Sequence, residues 1–253
     1  MNVSTRTPEE VAIMRAAGAV LAGALDHISS QLNPGTTGLE LDVLAETYIR
    51  DHGALPAFKG YQGFPATLCL SINEEVVHGI PSSRPIQPGD LVSIDLGVLL
   101  KGWYVDAART IAVAPAHPAD VALVTAAWAA FDAGISRIAP GVRLGDVQAA
   151  IQAVIEQRGY GLVRELTGHG IGRALHEAPD IPNYGEPGQG ILLKEGMTFC
   201  VEPMLTRGTG AVVTESDDWT ISARDRARAA HVEETLLVTK EGVEILTESP
   251  RRP

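Results

Sequence analysis

Hydrophobic residues recur with helical spacing near the start of the chain. Thr7-Pro8-Glu9-Glu10 carries the signals of a helix start, with a Thr cap, Pro at the first helical position and a Glu that closes a capping box. Apolar side chains then follow at three- and four-residue intervals, at Ile13, Ala17, Val20, Leu21 and Leu25. This pattern predicts an amphipathic helix that buries one face.

A related pattern returns later in the chain. The segment from Pro34 to Gly53 aligns without gaps with the segment from Pro140 to Gly159, and each predicts a helix that ends at its glycine. We therefore predict two related halves, 8–113 and 118–247, each in the order helix, helix, strands. Such halves indicate an α+β fold with a pseudo-twofold axis, built around one mixed or mostly antiparallel sheet that helices cover.

Residues 91–113 predict a hairpin of two strands with a turn at Lys101-Gly102. Apolar residues alternate with small or polar ones in the first strand, so that one of its faces is apolar and the other polar. Asp95 lies in the middle of the polar face. A hairpin centred between Leu100 and Lys101 places Asp95 directly opposite Asp106, where two like charges destabilise a sheet.

A second pair of strands repeats this arrangement. One strand ends at Glu202, and the other runs from about His231 to Thr239. A long hairpin centred on Asp217-Asp218 sets Glu202 opposite Glu233. Alternation selects Glu233 as the residue on the polar face rather than its neighbour Glu234, whose face is otherwise apolar.

Two hairpins thus direct four carboxylates at one place, and a common cation is the expected partner. Charged residues within apolar strands are rarely buried unless they are paired, so the pattern predicts a divalent metal site. His169 and His176, in the glycine-rich segment 167–177, offer nitrogen ligands. From the residues alone, His78 stays undecided between an ordinary buried histidine and a site residue.

Charge and cysteine content narrow the classes of partner. The 253 residues carry 31 Asp and Glu against 20 Lys and Arg, a formal net charge of −11, without a long basic run. We therefore expect neither nucleic acid nor a membrane surface as a ligand. The two cysteines, Cys69 and Cys200, indicate a reducing compartment rather than a disulfide framework. The apolar stretch Ala16–Leu25 is too short to span a bilayer, so the cytoplasm is the expected location.

Five of these residues occur in an order that resembles the dinuclear metal set of the methionine aminopeptidases, namely Asp95, Asp106, His169, Glu202 and Glu233. The resemblance extends from about residue 8 to residue 247 and rests on short motifs. These are His78-Gly-Ile-Pro81, Asp95-Leu-Gly97, Asp106-x-x-Arg109-Thr110, Gly168-His-Gly-Ile-Gly-Arg173, His176 and Glu202-Pro203. The resemblance implies the pita-bread fold and a single catalytic metallopeptidase domain over 1–253. The short spacing between Glu202 and Glu233 is similar to that of the type I enzymes.

The resemblance also implies a reaction and a metal cofactor. The protein would remove the N-terminal initiator methionine of nascent polypeptides, near the ribosome and as a monomer, when the second residue is small. Asp106 and Glu233 would bridge two divalent ions. Asp95 would complete the ligand set of one ion, and His169 with Glu202 would complete that of the other. These donors suit Co²⁺, Mn²⁺, Fe²⁺ or Zn²⁺ without selecting among them.

Three residues would act on the substrate. By the same resemblance, Glu202 would be the general base, His176 would hydrogen-bond the substrate carbonyl, and His78 would contact the scissile amide. The implied methionine pocket consists of Tyr61, Phe64, Cys69, Leu175 and Trp219, with Phe58 and Gln62 as further candidates. Aromatic rings and a thiol suit a thioether side chain.

The chain departs from the family pattern at two positions. Leu166 stands where an aromatic residue or Met is usual, and Glu234 stands where a His usually follows the bridging Glu. The change at Glu234 is expected to alter hydrogen bonding and metal preference at the ligand beside it.

Two alternatives differ in testable ways. An X-Pro peptidase of the same fold would be expected to carry an additional domain before this one, and only 94 residues precede Asp95. A binding module without activity would be expected to have lost metal ligands, yet all five are present.

Overall fold

The computed structural model describes residues 3–249; Met1, Asn2 and 250–253 of the expected domain lie outside the described residues. The first half begins with two helices and continues with five strands, and a single 3₁₀ turn at Tyr61–Gly63 lies between the first two strands. The elements are α1 (Pro8–Gln31), α2 (Gly38–Asp51), β1 (Leu55–Pro56), β2 (Leu68–Ile72), β3 (Glu75–Val77), β4 (Leu91–Leu100) and β5 (Trp103–Ala112).

The second half repeats the predicted order of helix, helix, strands. Its helices are α3 (Pro118–Ile135) and α4 (Leu144–Gln157). Its strands are β6 (Gly161–Leu162), β7 (Thr167–Gly170), β8 (Glu177–Pro182), β9 (Thr198–Val201), β10 (Met204–Thr206), β11 (Val212–Thr214), β12 (Ile221–Ala223), β13 (Ala229–His231), β14 (Glu233–Thr239) and β15 (Gly242–Ile245). The sequence pattern did not predict β15.

Helix α1 begins as the sequence predicts. The Thr7 hydroxyl accepts a hydrogen bond from the Glu10 N–H, and the Glu10 carboxylate accepts one from the Thr7 N–H. The apolar face of the helix, which includes Met14 and Leu21, packs against β4 and β5. The whole helix is longer than the apolar stretch considered above, and its length and composition would allow it to cross a membrane. Half of its most apolar 18-residue stretch is buried inside the protein, and core helices of soluble proteins can have the same length and composition.

Backbone dihedral angles support the internal repeat. Gly53 and Gly159, which end the aligned helices, have φ of 72° and 74°. Gly89 and Gly196, which precede β4 and β9, have φ of 82° and 84°. Glycine adopts this left-handed conformation without the steric cost of a Cβ atom. Equivalent turns therefore occur at equivalent places in the two halves.

The strands form one nine-stranded sheet and two small sheets. The order in the large sheet is β1-β4-β5-β14-β9-β7-β8, with β2 also paired to β4 and β15 to β14. The small sheets have the orders β13-β10-β6 and β11-β12-β3. Every strand pair within residues 3–249 is antiparallel, which agrees with the predicted mostly antiparallel sheet. The halves meet where β5 pairs with β14.

The first hairpin has a different register from the predicted one. Leu100 pairs with Trp103, so the hairpin is centred between Lys101 and Gly102. Both turn residues have positive φ, 49° and 80°, as a tight two-residue hairpin turn requires. Asp95 therefore lies opposite Ala108, and Asp106 lies opposite Gly97. Because the prediction was wrong by two residues, and side chains alternate with a period of two, both carboxylates still lie on the same face.

The long hairpin has the predicted register. Glu234 pairs with Val201, Met204 with His231 and Thr214 with Ile221, all consistent with a centre at Asp217-Asp218. The predicted single strand from His231 is interrupted at Val232, whose N–H donates to the carbonyl of Pro203. The interruption lets the hairpin leave the large sheet and continue in the small ones.

Candidate metal centre and cavity

Four carboxylates converge on one side of the large sheet. Asp95 lies on β4, Asp106 on β5, Glu202 directly after β9 and Glu233 at the start of β14. Their exposed fractions are 8%, 4%, 9% and 3%, in that order. One ligand oxygen from each of Asp95, Asp106 and Glu233 lies within 4.8 Å of the other two. The structure thus brings together the four carboxylates that the hairpin patterns selected.

Burial and mutual repulsion make the charged form of these groups unfavourable in the absence of a cation. Burial raises the pKa of Asp95 to about 7. Burial and the nearby Glu233 and Asp95 raise the pKa of Asp106 well above its usual range. The pKa values of Glu202 and Glu233 are also raised, first by burial and then by the other carboxylates. A positive charge among them would reverse these shifts.

The unpaired oxygens fit a bound cation. Asp95 Oδ1, Asp106 Oδ1 and Glu233 Oε1 are buried and accept no hydrogen bond within the described chain. Buried acceptors normally have a partner. Within residues 3–249, none of the four carboxylates forms an ion pair with Lys or Arg. Oxygen donors of this kind, together with imidazole nitrogen, suit divalent transition metals.

His169 is oriented towards two of the carboxylates. Its Nδ1 lies 2.9 Å from the Gly170 carbonyl, which leaves Nε2 at 3.7 Å from Glu202 Oε1 and 3.8 Å from Glu233 Oε1. Burial lowers the pKa of His169 to about 4, so the ring is neutral at neutral pH. A backbone acceptor on Nδ1 is the usual way to present Nε2 to a metal ion.

The glycines around His169 allow close approach of neighbouring strands. A Cβ atom on Gly168 would lie 2.4 Å from the Cys200 carbonyl oxygen, and one on Gly170 would lie 2.3 Å from that of Ala178. Real Cβ atoms do not approach so closely. The motif therefore holds His169 in the sheet between two tightly packed backbones.

His231 also faces the carboxylates, and the site prediction did not include it. It lies at the end of β13, is 1% exposed and lines the same cavity. Its Nε2 lies 3.7 Å from Glu202 Oε2 and 3.7 Å from Glu233 Oε2. Burial lowers its pKa to about 3. The available signal was the alternation that selected Glu233, because it places His231 on the same face.

Two further histidines stand at the cavity. The ring of His176 is tilted by 58° to that of His169, with centroids 4.3 Å apart, and its Nδ1 lies 2.9 Å from the Tyr61 hydroxyl. His78 has a φ of 60°, a left-handed conformation that is uncommon outside glycine and is often found at functional sites. Burial lowers the pKa of His78 to about 4, so it is neutral at neutral pH.

The remaining wall of the cavity is largely apolar. Phe64 and Trp219 meet edge to face, with ring centroids 5.1 Å apart, while Cys69 and Leu175 are buried beside the space. The cavity has a volume of about 210 Å³. Every residue predicted for metal or substrate lines it, namely Asp95, Asp106, His169, Glu202, Glu233, His78, His176, Tyr61, Phe64, Cys69, Leu175 and Trp219, as do Phe58 and Gln62.

The two departures from the family pattern occupy different environments. Leu166 lines the cavity. Glu234 is fully buried, accepts a hydrogen bond from the Thr247 hydroxyl at 2.5 Å and lies 4.0 Å from Arg109 Nη2. Arg109 also pairs with Asp26 at 2.9 Å. Glu234 therefore belongs to a buried charged cluster outside the cavity lining.

Comparison with known proteins defines the class to which this fold and site belong. A family model described as metallopeptidase family M24 matches residues 12–240. The chain belongs to metallopeptidase family M24.

Within this family, the chain is similar over its length to proteins named methionine aminopeptidase. It is 47% identical to methionine aminopeptidase 1 of Mycobacterium tuberculosis, over 97% of this chain and 95% of that protein. It is 44% identical to the methionine aminopeptidase of Clostridium acetobutylicum, over 94% of this chain and 96% of that protein.

Solved structures agree with these relationships and confirm the predicted pita-bread fold. The methionine aminopeptidase of Rickettsia prowazekii superposes with a TM-score of 0.96 at 42% identity, covering 98% of this chain and all of that one. The prolidase of Pyrococcus furiosus gives 0.80 at 25% identity and matches 98% of this chain but only 66% of its own. The X-Pro enzymes thus share the fold at lower identity.

Proposed function

We propose that this protein removes the N-terminal methionine from polypeptides whose second residue is small, as a metal-dependent aminopeptidase of type I. The observation that carries the proposal is the cavity itself, whose lining combines four buried carboxylates and His169 with Phe64, Trp219 and Cys69. A polar reacting centre beside an apolar side-chain pocket is what cleavage after an apolar first residue needs.

Two divalent ions, held by Asp95, Asp106, His169, Glu202 and Glu233, would activate a water molecule and polarise the substrate carbonyl. Glu202 is the proposed general base, because its carboxylate can accept a proton from the attacking water and return it to the leaving amine. Asp95, Asp106 and Glu233 would help to hold these ions, and the grouping of one ligand oxygen from each within 4.8 Å supports this assignment.

His176 and His78 are proposed to bind the substrate around the first peptide bond. If the Tyr61 hydroxyl donates to His176 Nδ1, the proton of the neutral ring is on Nε2 and can be donated to the substrate carbonyl oxygen. His78 would contact the scissile amide, and its left-handed backbone conformation would help to set the position of its ring.

The methionine side chain is proposed to fit between Phe64, Trp219, Cys69 and Leu175, with Tyr61 at the rim. Burial and nearby carboxylates raise the pKa of Cys69 well above its usual range, so it stays a neutral thiol at neutral pH. A neutral thiol and aromatic edges provide favourable contacts for a thioether.

The metal and the setting of the reaction are further parts of the proposal. The donor set is compatible with two Co²⁺, Mn²⁺, Fe²⁺ or Zn²⁺ ions. We propose that the protein acts as a cytoplasmic monomer on nascent chains near the ribosome, without direct binding to nucleic acid or membrane. The support is the similarity to bacterial methionine aminopeptidases and the net charge of −11.

The decisive experiment is a peptidase assay on metal-stripped protein to which single divalent metals are returned. We expect release of free methionine from Met-Ala-Ser, dependence on metal, and loss of release in Glu202→Ala. Glu186→Gln, an exposed change outside the cavity, is the matched control and should retain activity. Metal-bound protein that releases no methionine with any metal would contradict the proposal.

The same assay separates the proposal from X-Pro peptidase activity. The protein should cleave Met-Ala-Ser and leave the dipeptide Ala-Pro intact. Efficient hydrolysis of Ala-Pro without methionine release would instead show that the chain is an X-Pro peptidase.

A further inference from the structure

His231 occupies a position that its main chain defines closely. The Thr110 hydroxyl accepts a hydrogen bond from the His231 N–H at 2.8 Å and donates one to its carbonyl at 2.7 Å. His231 also pairs with Met204 in the small sheet. The side chain is 1% exposed and faces the cavity. Its orientation is therefore set by the surrounding structure and not by solvent.

The ring of His231 lacks a hydrogen-bond partner in the part of the chain that the structure describes. Neither Nδ1 nor Nε2 forms a hydrogen bond within residues 3–249. The 3.7 Å separations of Nε2 from Glu202 and Glu233 are too long for hydrogen bonds. Buried polar groups without a partner carry a free-energy cost, so an unpaired buried imidazole beside carboxylates indicates an additional partner.

His169 and His231 lie near different oxygen atoms of the same two carboxylates. His169 Nε2 faces the Oε1 atoms of Glu202 and Glu233, whereas His231 Nε2 faces their Oε2 atoms. One ligand atom from each of Glu202, His231 and Glu233 lies within 4.8 Å of the other two. Donors placed tetrahedrally at about 2.0–2.2 Å from a metal are about 3.3–3.6 Å apart. The observed 3.7 Å separations therefore need only a small contraction.

We propose that His231 is a sixth protein ligand of the metal centre, with Nε2 bound to a divalent ion held by Glu202 and Glu233. The proposal rests on the metal centre of the proposed function and adds a second imidazole to that of His169, the single histidine in the proposed ligand set. Because imidazole nitrogen favours Co²⁺ and Zn²⁺ over Mn²⁺, His231 would increase the preference for the former ions.

The test uses full-length protein labelled with ¹⁵N-histidine and loaded with Co²⁺. Each cobalt-bound imidazole contributes one strongly shifted ring N–H proton to the NMR spectrum, recognised by its coupling to ¹⁵N. We expect two such protons in the unaltered protein and one in His231→Gln. His52→Gln, an exposed histidine outside the cavity, is the matched control and should retain both.

Metal affinity provides a second measurement. In competition with a chelator, His231→Gln should weaken Co²⁺ binding at least about tenfold and Mn²⁺ binding by a smaller factor. Equal weakening of both metals, or unchanged Co²⁺ affinity, would overturn the proposal.

The spectrum of the unaltered protein decides the matter even if the variant does not fold. One shifted N–H proton in cobalt-loaded protein that releases methionine would overturn the role of His231 and leave the proposed function intact. Failure of the protein to bind any Co²⁺ would overturn both.

Discussion

The hydroxyl of Thr235 connects to the main chain of Asp106 in both directions, accepting a hydrogen bond from its N–H at 2.9 Å and donating one to its carbonyl at 2.8 Å. Thr235 lies on β14 and Asp106 on β5, the strands at which the two halves meet. The direct pairs between these strands in the described chain are Glu233 with Ala108 and Glu234 with Ala107. The threonine therefore extends a short junction and holds a proposed metal ligand in place.

Replacing Thr235 should weaken this junction. Thr235→Val keeps the shape of the side chain but leaves the N–H and carbonyl of Asp106 without partners, at about 1–3 kcal/mol for each orphaned group. Urea unfolding of metal-free protein should show the loss. Thr125→Val, whose exposed hydroxyl bonds within α3, should change stability by less than about 0.5 kcal/mol. Equal stability of the two variants would contradict this account.

The stability of the metal-free protein should depend on pH in a defined direction. Because burial raises the pKa of Asp95 to about 7 in the folded state, folding favours its protonated form. The resulting stability is present below the unfolded pKa of about 3.9 and is lost as pH rises to about 7. The raised pKa values of Asp106, Glu202 and Glu233 act in the same direction.

Thermal unfolding with chelator should therefore give a higher Tm near about pH 5 than near about pH 8. Added Mn²⁺ or Co²⁺ should raise Tm more at the higher pH, because the carboxylates are then ionised. Asp95→Asn should flatten the pH dependence in chelator. A metal-free protein that is most stable near pH 8 would rule out a repulsive carboxylate cluster.

The bond between Tyr61 and His176 gives a prediction about turnover. Tyr61→Phe removes the hydroxyl that lies 2.9 Å from His176 Nδ1, so the ring loses its preferred tautomer. We expect kcat for methionine release to fall about five- to tenfold, the equivalent of one hydrogen bond, with metal affinity unchanged. Tyr184→Phe, which packs against Arg164 outside the cavity, should have no effect. A change confined to KM would assign Tyr61 to substrate binding alone.

Glu234 should contribute to stability more than to metal binding. Its carboxylate accepts a hydrogen bond from Thr247 and faces Arg109, so Glu234→Gln removes a buried negative charge beside a buried positive one. We expect a loss of about 1.5–3 kcal/mol in urea unfolding and metal affinity within about threefold of the original. Glu241→Gln at the surface is the control. A large change in metal preference with unchanged stability would instead support the expectation drawn from the sequence.

Much of the fold was predictable because its signals are local. The capping box at Thr7 and Glu10 involves neighbouring residues, and alternation along the strands placed Glu202 and Glu233 in the register that the structure shows. The first hairpin was predicted with the wrong centre because the tight turn at Lys101-Gly102 was not given its two-residue geometry. Asp95 and Asp106 were still predicted on the same face, because the error was two residues and side chains alternate with a period of two.

The sequence by itself determined the order of the candidate ligands and the faces of the strands that carry them, because both follow from side-chain alternation along the chain. Only the tertiary structure decided that the His231 ring faces Glu202 and Glu233 with no hydrogen-bond partner among residues 3–249, and that Glu234 lies beside Arg109 and Thr247. Burial and pairing of a polar side chain depend on contacts between residues far apart in sequence. The contacts of His231 with Glu202 and Glu233 form when the second half folds, and the approach of Glu234 to Arg109 exists only once the two halves have packed together.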